Sequence, residues 1–257
     1  MSLHVTRLGE GGSPVVFLHG LFGQGRNWTQ IAKAIAENHR VTLVDLPHHG
    51  RSAWSHRFDF QEAAEQIAGL WTAEDAAAVV GHSLGGKVAM VLALQHPEQV
   101  ERLCVADIAP VPYDTGREFV GYTQALKAVD LGALERRDDA DRALEEAVPN
   151  PTVRSFLLSN LRRDGDHWRW QVNLDVIERD LEVISGWPAD LVAQLPPYDG
   201  PVLWLAGERS DYVKDEYAPV MDQLFPRNRR VTIKNAGHWL HSEQPEVFTE
   251  VLKRFLG

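Results

Sequence analysis

Short, nearly continuous apolar runs alternate along this chain with stretches of helical spacing. The helical stretches, such as 28–38 and 85–98, repeat apolar residues every three or four positions. The apolar runs occupy 13–19, 39–47, 76–83, 101–110, 201–207 and 229–237. Unbroken apolar strands separated by helices are typical of a parallel sheet that is covered on both faces. The pattern therefore predicts an α/β protein with a mostly parallel, doubly wound sheet.

The alternation lapses between residues 111 and 199, where only helical stretches with interspersed prolines are found. A helical insertion at this point of an open α/β sheet is expected to cover the carboxyl ends of the strands, where ligands bind. The sequence thus predicts a core formed by 1–110 and 200–257, and a helical cap formed by 111–199.

Charge and composition exclude several classes of partner. The 257 residues carry a formal net charge of −10, which argues against nucleic acid or an anionic membrane as the main partner. No apolar run reaches the roughly 18 residues of a membrane span, and no secretory signal is expected at the amino terminus. Cys104 is the only cysteine and is expected to be a buried apolar residue, in keeping with a cytoplasmic location. The oligomeric state is not predicted.

The segment Gly81–Gly86 reads GHSLGG and fits the pattern G-x-S-x-G. It follows a predicted strand directly and opens a predicted helix, which is the context of a nucleophile elbow. Glycines at 81 and 85 leave room for the sharp turn, and the helix amino terminus favours negative charge developing near Ser83. Ser83 is therefore the predicted nucleophile.

A serine hydroxyl needs a general base, and His238 is the best-placed histidine. It lies in NAGHW, after the last predicted strand and before the final helix, so that it follows the nucleophile in the chain. His19 is expected to support its own loop, and His82 to pack beneath the elbow. The histidines at 48, 49 and 56 lack the spacing of a metal-binding helix, so neither a metal nor a cofactor is predicted.

Acyl transfer also needs two donors for the developing oxyanion. One is expected to be the backbone N–H of Leu84, directly after the nucleophile. The other is expected in the loop HGLFGQ after the first core strand, with Leu21 as the choice and Phe22 as the alternative.

The sequence resembles the α/β-hydrolase superfamily over its whole length. The segments HGLFGQGRNW, DLPHHGRS, GHSLGGK, VADIAP, PVLWLAGERSDYV and NAGHWLHSEQPEVF carry the resemblance. Within the superfamily it is most similar to the YbfF-type bacterial esterases and the abhydrolase-domain 11 proteins. The resemblance implies hydrolysis of esters or thioesters, including acyl-CoA, without a cofactor.

The acid of the predicted triad is open between two aspartates. In much of the superfamily it lies three residues after the glycine that ends the next-to-last strand; counted from Gly207, that position is Ser210. Asp211 is one residue late, whereas Asp107 follows the preceding core strand. The resemblance to the YbfF type, which implies an acid after that earlier strand and a serine at the later site, favours Asp107. Asp211 is the alternative, and Ser210 is a possible auxiliary group that orients His238.

Aromatic residues near the predicted loops are candidates for the substrate pocket. Phe22, Trp28, Tyr212 and Trp239 are the predicted lining residues, with Trp239 and Tyr212 favoured because they adjoin catalytic loops. Three further tryptophans of the cap are weaker candidates, at positions 168, 170 and 187. Lys87 is expected to be a surface charge, and its alternative role is to assist an anionic leaving group.

Together these residues predict a serine hydrolase that cleaves carboxylic esters or thioesters through an acyl-enzyme. A small-molecule acyl ester or thioester is the expected partner. A carbon–carbon bond hydrolase or a cofactor-free perhydrolase on the same triad is the first alternative. A ligand receptor with vestigial catalysis is the second.

Overall fold

The structure is a computed structural model that describes residues 2–114 and 116–257. Seven of its strands form one sheet, in the order β1-β3-β2-β4-β5-β8-β9. Their bounds are β1 Val5–Leu8, β2 Pro14–Leu18, β3 Arg40–Val44, β4 Ala77–His82, β5 Val100–Ala106, β8 Val202–Gly207 and β9 Asn228–Ile233. All neighbouring strands are parallel except β1, which pairs with β3 in the antiparallel sense. The predicted mostly parallel α/β fold is confirmed. Strand β1 was not predicted; two of its four residues are exposed and two are partly buried.

The order of the strands brings the predicted catalytic loops together. β2 lies between β3 and β4, so the chain turns to opposite sides of the sheet after β2 and after β3. Such a switch point opens a crevice beyond the carboxyl ends of the strands. The loops after β2, β4, β5, β8 and β9 all start at this edge. The register aligns them, because Leu18 pairs with Gly81 and Ala106 pairs with Leu205.

Side chains of the strands alternate between two apolar layers. Val15 and Phe17 of β2 pack with one layer, and Val16 and Leu18 pack with the other. The first layer includes helices α1 Thr29–Ile35, α11 Leu240–Glu243 and α12 Pro245–Leu256, and the second includes α2 Phe60–Ala68, α3 Leu84–Gln95 and α10 Ala218–Leu224. Every residue of α3 from 84 to 94 is buried, so the helix that follows the elbow is held on all sides.

The chain between β5 and β8 forms a separate set of elements. Its helices are α4 Gly116–Ala128, α5 Arg137–Leu144, α6 Pro151–Leu158, α7 Leu174–Arg179, α8 Leu181–Ser185 and α9 Ala189–Val192. The expectation of helices alone is wrong, because α6 ends at Leu158 and an antiparallel hairpin follows, formed by β6 Leu161–Asp164 and β7 His167–Trp170. Gly165, at φ +61°, supplies the positive φ that this two-residue turn requires. The domain boundaries at 110 and 200 stay a prediction.

Two expectations from composition concern the single cysteine and the absence of a membrane span. Cys104 lies in β5 and is buried, as predicted, and burial raises the pKa of its thiol. In the described part of the chain, no helix has both the length and the apolar character needed to cross a bilayer. The expected cytoplasmic location stays a prediction.

The close approach of α3 to the end of β2 yields a test of the packing. A Cβ on Gly85 would lie 2.5 Å from the backbone oxygens of Leu18 and His19. We therefore expect Gly85→Ala to lower the free energy of unfolding in urea by about 2–3 kcal/mol. Gly121 is the matched control, because it is exposed in α4 and an added Cβ meets nothing within 4 Å. Gly121→Ala should raise stability by roughly 0.5–1 kcal/mol, and equal stability of the two variants would contradict this packing.

Candidate active site

Ser83 occupies a strained turn between β4 and α3. Its φ is +52° and its ψ is −118°, a backbone conformation that residues other than glycine rarely adopt. The turn is held by the Ser83 N–H, which donates to Ala106 O at 3.0 Å, and by the Lys87 N–H, which donates to Ser83 O. A Cβ on Gly81 would lie 2.3 Å from Gly85 O, which explains the need for glycine there. Ser83 is 9% exposed and faces a cleft beneath the cap.

The buried Asp107 and the partly buried His238 form a hydrogen-bonded pair. Asp107 follows β5 and has no exposed surface. His238 Nδ1–H donates to its Oδ2 at 2.8 Å, so that in the neutral imidazole Nε2 is the accepting nitrogen. Among the described residues, no hydrogen bond joins Ser83 Oγ to His238, although both line the cleft. Catalytic hydrogen bonds often tighten only when substrate binds.

Two further donors complete the surroundings of the Asp107 carboxylate. The Gly207 N–H donates to Oδ1 at 2.9 Å, and the Ser210 hydroxyl donates to Oδ2. Asp211 is exposed, and none of the described hydrogen bonds or ion pairs connects it to His238. The structure thus brings Asp107 and Ser210 to His238 and leaves Asp211 outside the group.

Aromatic rings enclose the imidazole of His238. The Tyr212 ring stacks on it with centroids 4.0 Å apart, and the His82 ring lies 4.7 Å away. His82 Nε2–H donates to His238 O at 2.8 Å, so His82 supports the loop from below. Beneath His82, the His241 ring lies between His82 and Trp28. Burial lowers the pKa of His82 well below 6.5 and that of His241 to about 3, so both are neutral at pH 7.

The loop after β2 is held at several points. His19 donates from Nδ1 to Gly20 O and accepts the Leu46 N–H at Nε2, as expected for a residue that supports the loop. Phe22 has a φ of +58°, and its N–H donates to His49 Nε2 at 3.2 Å. The Phe22 N–H is therefore occupied. The Leu21 N–H, in contrast, has no acceptor among the described residues.

Asn160, from the turn after α6, fixes the same loop from the cap side. It is 0% exposed, its Nδ2 donates to Phe22 O at 2.7 Å, and its Oδ1 accepts from Gln24 Nε2 at 2.8 Å. The backbone of Phe22 is thus bonded to His49 on one side and to Asn160 on the other. The sequence reasoning missed this role, because an Asn in an apparent helix carries no signal of a distant partner.

The cleft itself is lined by residues of the loops and of the cap. Of the predicted lining residues, Phe22 and Trp239 line it, and Tyr212 lines an adjoining cavity that also reaches Ser83. The cap contributes Phe119, Tyr122, Val153, Phe156 and Leu157, none of which was predicted from the sequence. The spacing of three and four residues between them indicates one face of a helix. The sequence does not show whether that face meets a cleft.

The structure corrects several expectations about single residues. Trp28 is 0% exposed and packs between Phe17, His241 and Phe248, so it belongs to the core and does not line the cleft. Trp168 and Trp170 pack within the cap; neither they nor Trp187 are among the residues that line the cleft.

Lys87 also differs in its surroundings from what the sequence suggests. The expectation of a surface charge at Lys87 is wrong, because its side chain is buried beside Ser83 and burial lowers its pKa to about 7. His49 serves the loop after β2, and His48 contacts the backbone of Arg57. No group of three or more potential ligands within 2–114 and 116–257 is arranged to hold a metal ion.

The fold and this site define a class of protein. The model of the family described as alpha/beta hydrolase fold matches residues 13–245, and the chain therefore belongs to this family. The mouse protein sn-1-specific diacylglycerol lipase ABHD11 is 38% identical over 250 residues, covering 94% of this chain and 80% of the relative. Esterase YbfF of Escherichia coli (strain K12) is 30% identical over 246 residues, covering 95% of this chain and 93% of the relative.

A solved structure gives the same assignment. The protein described as Marine microorganism esterase is 35% identical and superposes with a TM-score of 0.93 over 98% of both chains. The resemblance found in the sequence, to YbfF-type esterases and abhydrolase-domain 11 proteins, is confirmed.

The contacts of Asn160 predict a local effect on activity. Asn160→Ala should leave Phe22 O without its buried donor, which costs about 1–3 kcal/mol of stability and loosens the loop. We expect kcat/KM for a p-nitrophenyl ester to fall by about tenfold or more, because the loosened loop holds its backbone donors less precisely. Asn150→Ala is the control: it removes the N-cap of α6, at about 1 kcal/mol, without touching the loop. Equal activity of the two variants would contradict this role.

The buried histidines predict a fall in stability at acid pH. The pKa of His241 is lowered to about 3, whereas in the unfolded chain it is near 6.5. The unfolded state therefore binds the extra proton as pH falls through 6.5, and stability decreases down to about the folded pKa. Between pH 7.5 and 4.5, the unfolding free energy of His241→Phe should fall by about 2 kcal/mol less than that of the wild type. His167→Phe, at an exposed position, is the control and should behave like the wild type. If the unfolding free energy of His241→Phe also falls as much as that of the wild type over this pH range, the prediction is wrong.

Proposed function

We propose that this protein is a serine hydrolase of carboxylic esters, with Ser83 as nucleophile, His238 as general base and Asp107 as the acid. One observation carries the proposal: the strained Ser83 lies in the same cleft as His238, whose Nδ1–H is bonded to the buried Asp107 carboxylate. Esterase and lipase relatives in the same family support hydrolysis of an ester.

The chemistry follows from these positions. Ser83 Oγ attacks the carbonyl carbon of the ester while His238 Nε2 takes its proton. The tetrahedral intermediate expels the alcohol, which receives that proton, and an acyl-enzyme remains. A water molecule then attacks the acyl carbon with His238 again as the base, and the carboxylic acid leaves Ser83 free.

The Asp107 carboxylate orients His238 and stabilises its charged form during the reaction. Ser210 is proposed as an auxiliary group, because its hydroxyl donates to the same oxygen that accepts from His238. Asp211 is not favoured, because it is exposed and outside this group.

The oxyanion is proposed to accept hydrogen bonds from the N–H groups of Leu21 and Leu84. Leu84 is the first residue of α3, so its N–H has no partner within the helix. Leu21 is favoured over Phe22, because the Phe22 N–H is bonded to His49.

The substrate is proposed to be a small acyl ester or thioester whose apolar part lies against the aromatic residues of the cleft. Phe22, Phe119, Tyr122, Phe156 and Trp239 give the cleft an apolar character suited to such a group. Thioesters, acyl-CoA included, react by the same steps. No observation favours carbon–carbon bond cleavage, perhydrolysis or a receptor without catalysis over this chemistry.

The proposal is tested with p-nitrophenyl esters and acyl-CoA thioesters of increasing chain length. The wild type should turn over at least one member of the panel, and Ser83→Ala should reduce its kcat by several orders of magnitude. Full activity in Ser83→Ala, or no turnover of any member, would sink the proposal.

The choice of acid gives a separate prediction. Asp107→Asn should lower kcat by about 10³- to 10⁴-fold, because His238 loses the partner that selects its tautomer. Asp211→Asn is the matched control and should stay within about twofold of the wild type. Thermal unfolding of both variants establishes that they fold, and the reverse order of activities would exclude Asp107 as the acid.

A further inference from the structure

Lys87 carries a buried charge beside the nucleophile. It lies four residues after Ser83, roughly 6 Å along α3, and its side chain is only 2% exposed. Its Nζ donates to the backbone oxygens of Ser185, at 2.6 Å, and Gly186, at the end of α8. The Tyr113 ring lies beneath it, with Nζ 4.8 Å from the ring centroid. The ammonium is thus held by two carbonyls and one aromatic face.

No anionic side chain of the described residues balances this charge. Lys127, Lys214 and Lys253 each pair with a carboxylate, whereas Lys87 has only the uncharged partners named above. A buried charge without a counterion is unfavourable, and two carbonyls occupy only two of the three ammonium donors. Burial accordingly lowers the pKa of Lys87 to about 7. The site is therefore one negative charge short of a favourable arrangement.

The space next to Lys87 is connected to the reaction centre. A cavity adjoining the main cleft is lined by Ser83, Leu84, Lys87, Tyr113, Ile184 and Tyr212. Tyr113 is fixed there, because its hydroxyl donates to Tyr212 O at 2.5 Å and accepts from the Ala109 N–H at 2.7 Å. A molecule with its reacting carbonyl at Ser83 can therefore extend a short chain toward the ammonium.

We infer that this cavity is a subsite for a carboxylate carried by the substrate, and that Lys87 is the specificity-determining residue that receives it. The preferred substrates are then esters or thioesters with a carboxylate a short chain away from the scissile carbonyl. The substrate supplies the missing charge, and Tyr113 and the carbonyls of residues 185 and 186 keep the ammonium in place. The inference rests on the hydrolase proposed above and names the class of its substrate.

The test compares matched anionic and neutral esters by pH-stat titration. Monoethyl glutarate against ethyl hexanoate places the carboxylate on the acyl side, and 4-acetoxybutanoate against pentyl acetate places it on the alcohol side. For one of the two pairs, the wild type should favour the anionic ester by about tenfold or more in kcat/KM. If neither anionic ester is preferred, the inference is overturned whatever the variants do.

Variants at Lys87 then ask whether this residue causes the preference. Lys87→Met removes the charge and should abolish the preference, whereas Lys87→Arg should retain most of it. Lys127→Met is the control, because Lys127 pairs with Asp175 and Glu178 on the surface of the cap, and it should leave the preference intact. An equal loss for anionic and neutral esters in Lys87→Met would show a structural role only and overturn the inference.

Failure of the subsite and failure of the hydrolase are distinguishable in these assays. If the neutral esters are turned over by the wild type and not by Ser83→Ala, the hydrolase stands even when no preference depends on Lys87. If no ester of either pair or of the wider panel is turned over, the hydrolase fails and the subsite fails with it.

Discussion

The carboxylate of Asp107 has no exposed surface, and the geometry of the site depends on how its charge is satisfied. Its donors among the described residues are the Gly207 N–H, the Ser210 hydroxyl and His238 Nδ1–H. These donors come from the end of β8, the loop after it and the loop after β9, while Asp107 itself follows β5. One buried charge therefore ties together the ends of three neighbouring strands. Removal of a donor would leave part of that charge unpaired in the interior, which is costly.

Backbone strain is concentrated at the same edge of the sheet. The described residues other than glycine with positive φ are Phe22, His48, Ser83, Asp107 and Asn235. Each lies within four residues beyond the carboxyl end of a parallel strand. Such conformations persist only where the surroundings hold them, and here the apolar layers and the strand register do so. The core is thus what keeps the loops in conformations that point functional groups into the cleft.

The sequence predicted the parts of the site that depend on local rules. The glycines around Ser83 mark a turn that needs close backbone approach, and the position of His238 after the last strand follows from chain order. Counting from Gly207 indicated a serine where an acid is customary, and the structure brings Ser210 and Asp107 to the same imidazole.

The sequence did not predict contacts between distant segments. Lys87 looked like a surface charge, because nothing in its own helix reveals that α8 covers it. Trp28 looked like a lining residue, because it lies close to the predicted loop after β2. Its side chain instead packs against Phe248 of α12. The hairpin after α6 was missed, because its short strands are mostly polar and the apolar spacing of α6 ran on into it.

Covalent labelling is the most direct test of Ser83 as the proposed nucleophile. The wild-type protein is treated with a fluorophosphonate, digested and examined by mass spectrometry while residual esterase activity is followed. We expect one adduct, on Ser83, formed in proportion to the loss of activity and absent from Ser83→Ala. Loss of activity with the adduct on another residue, or full activity in a protein labelled at Ser83, would contradict it.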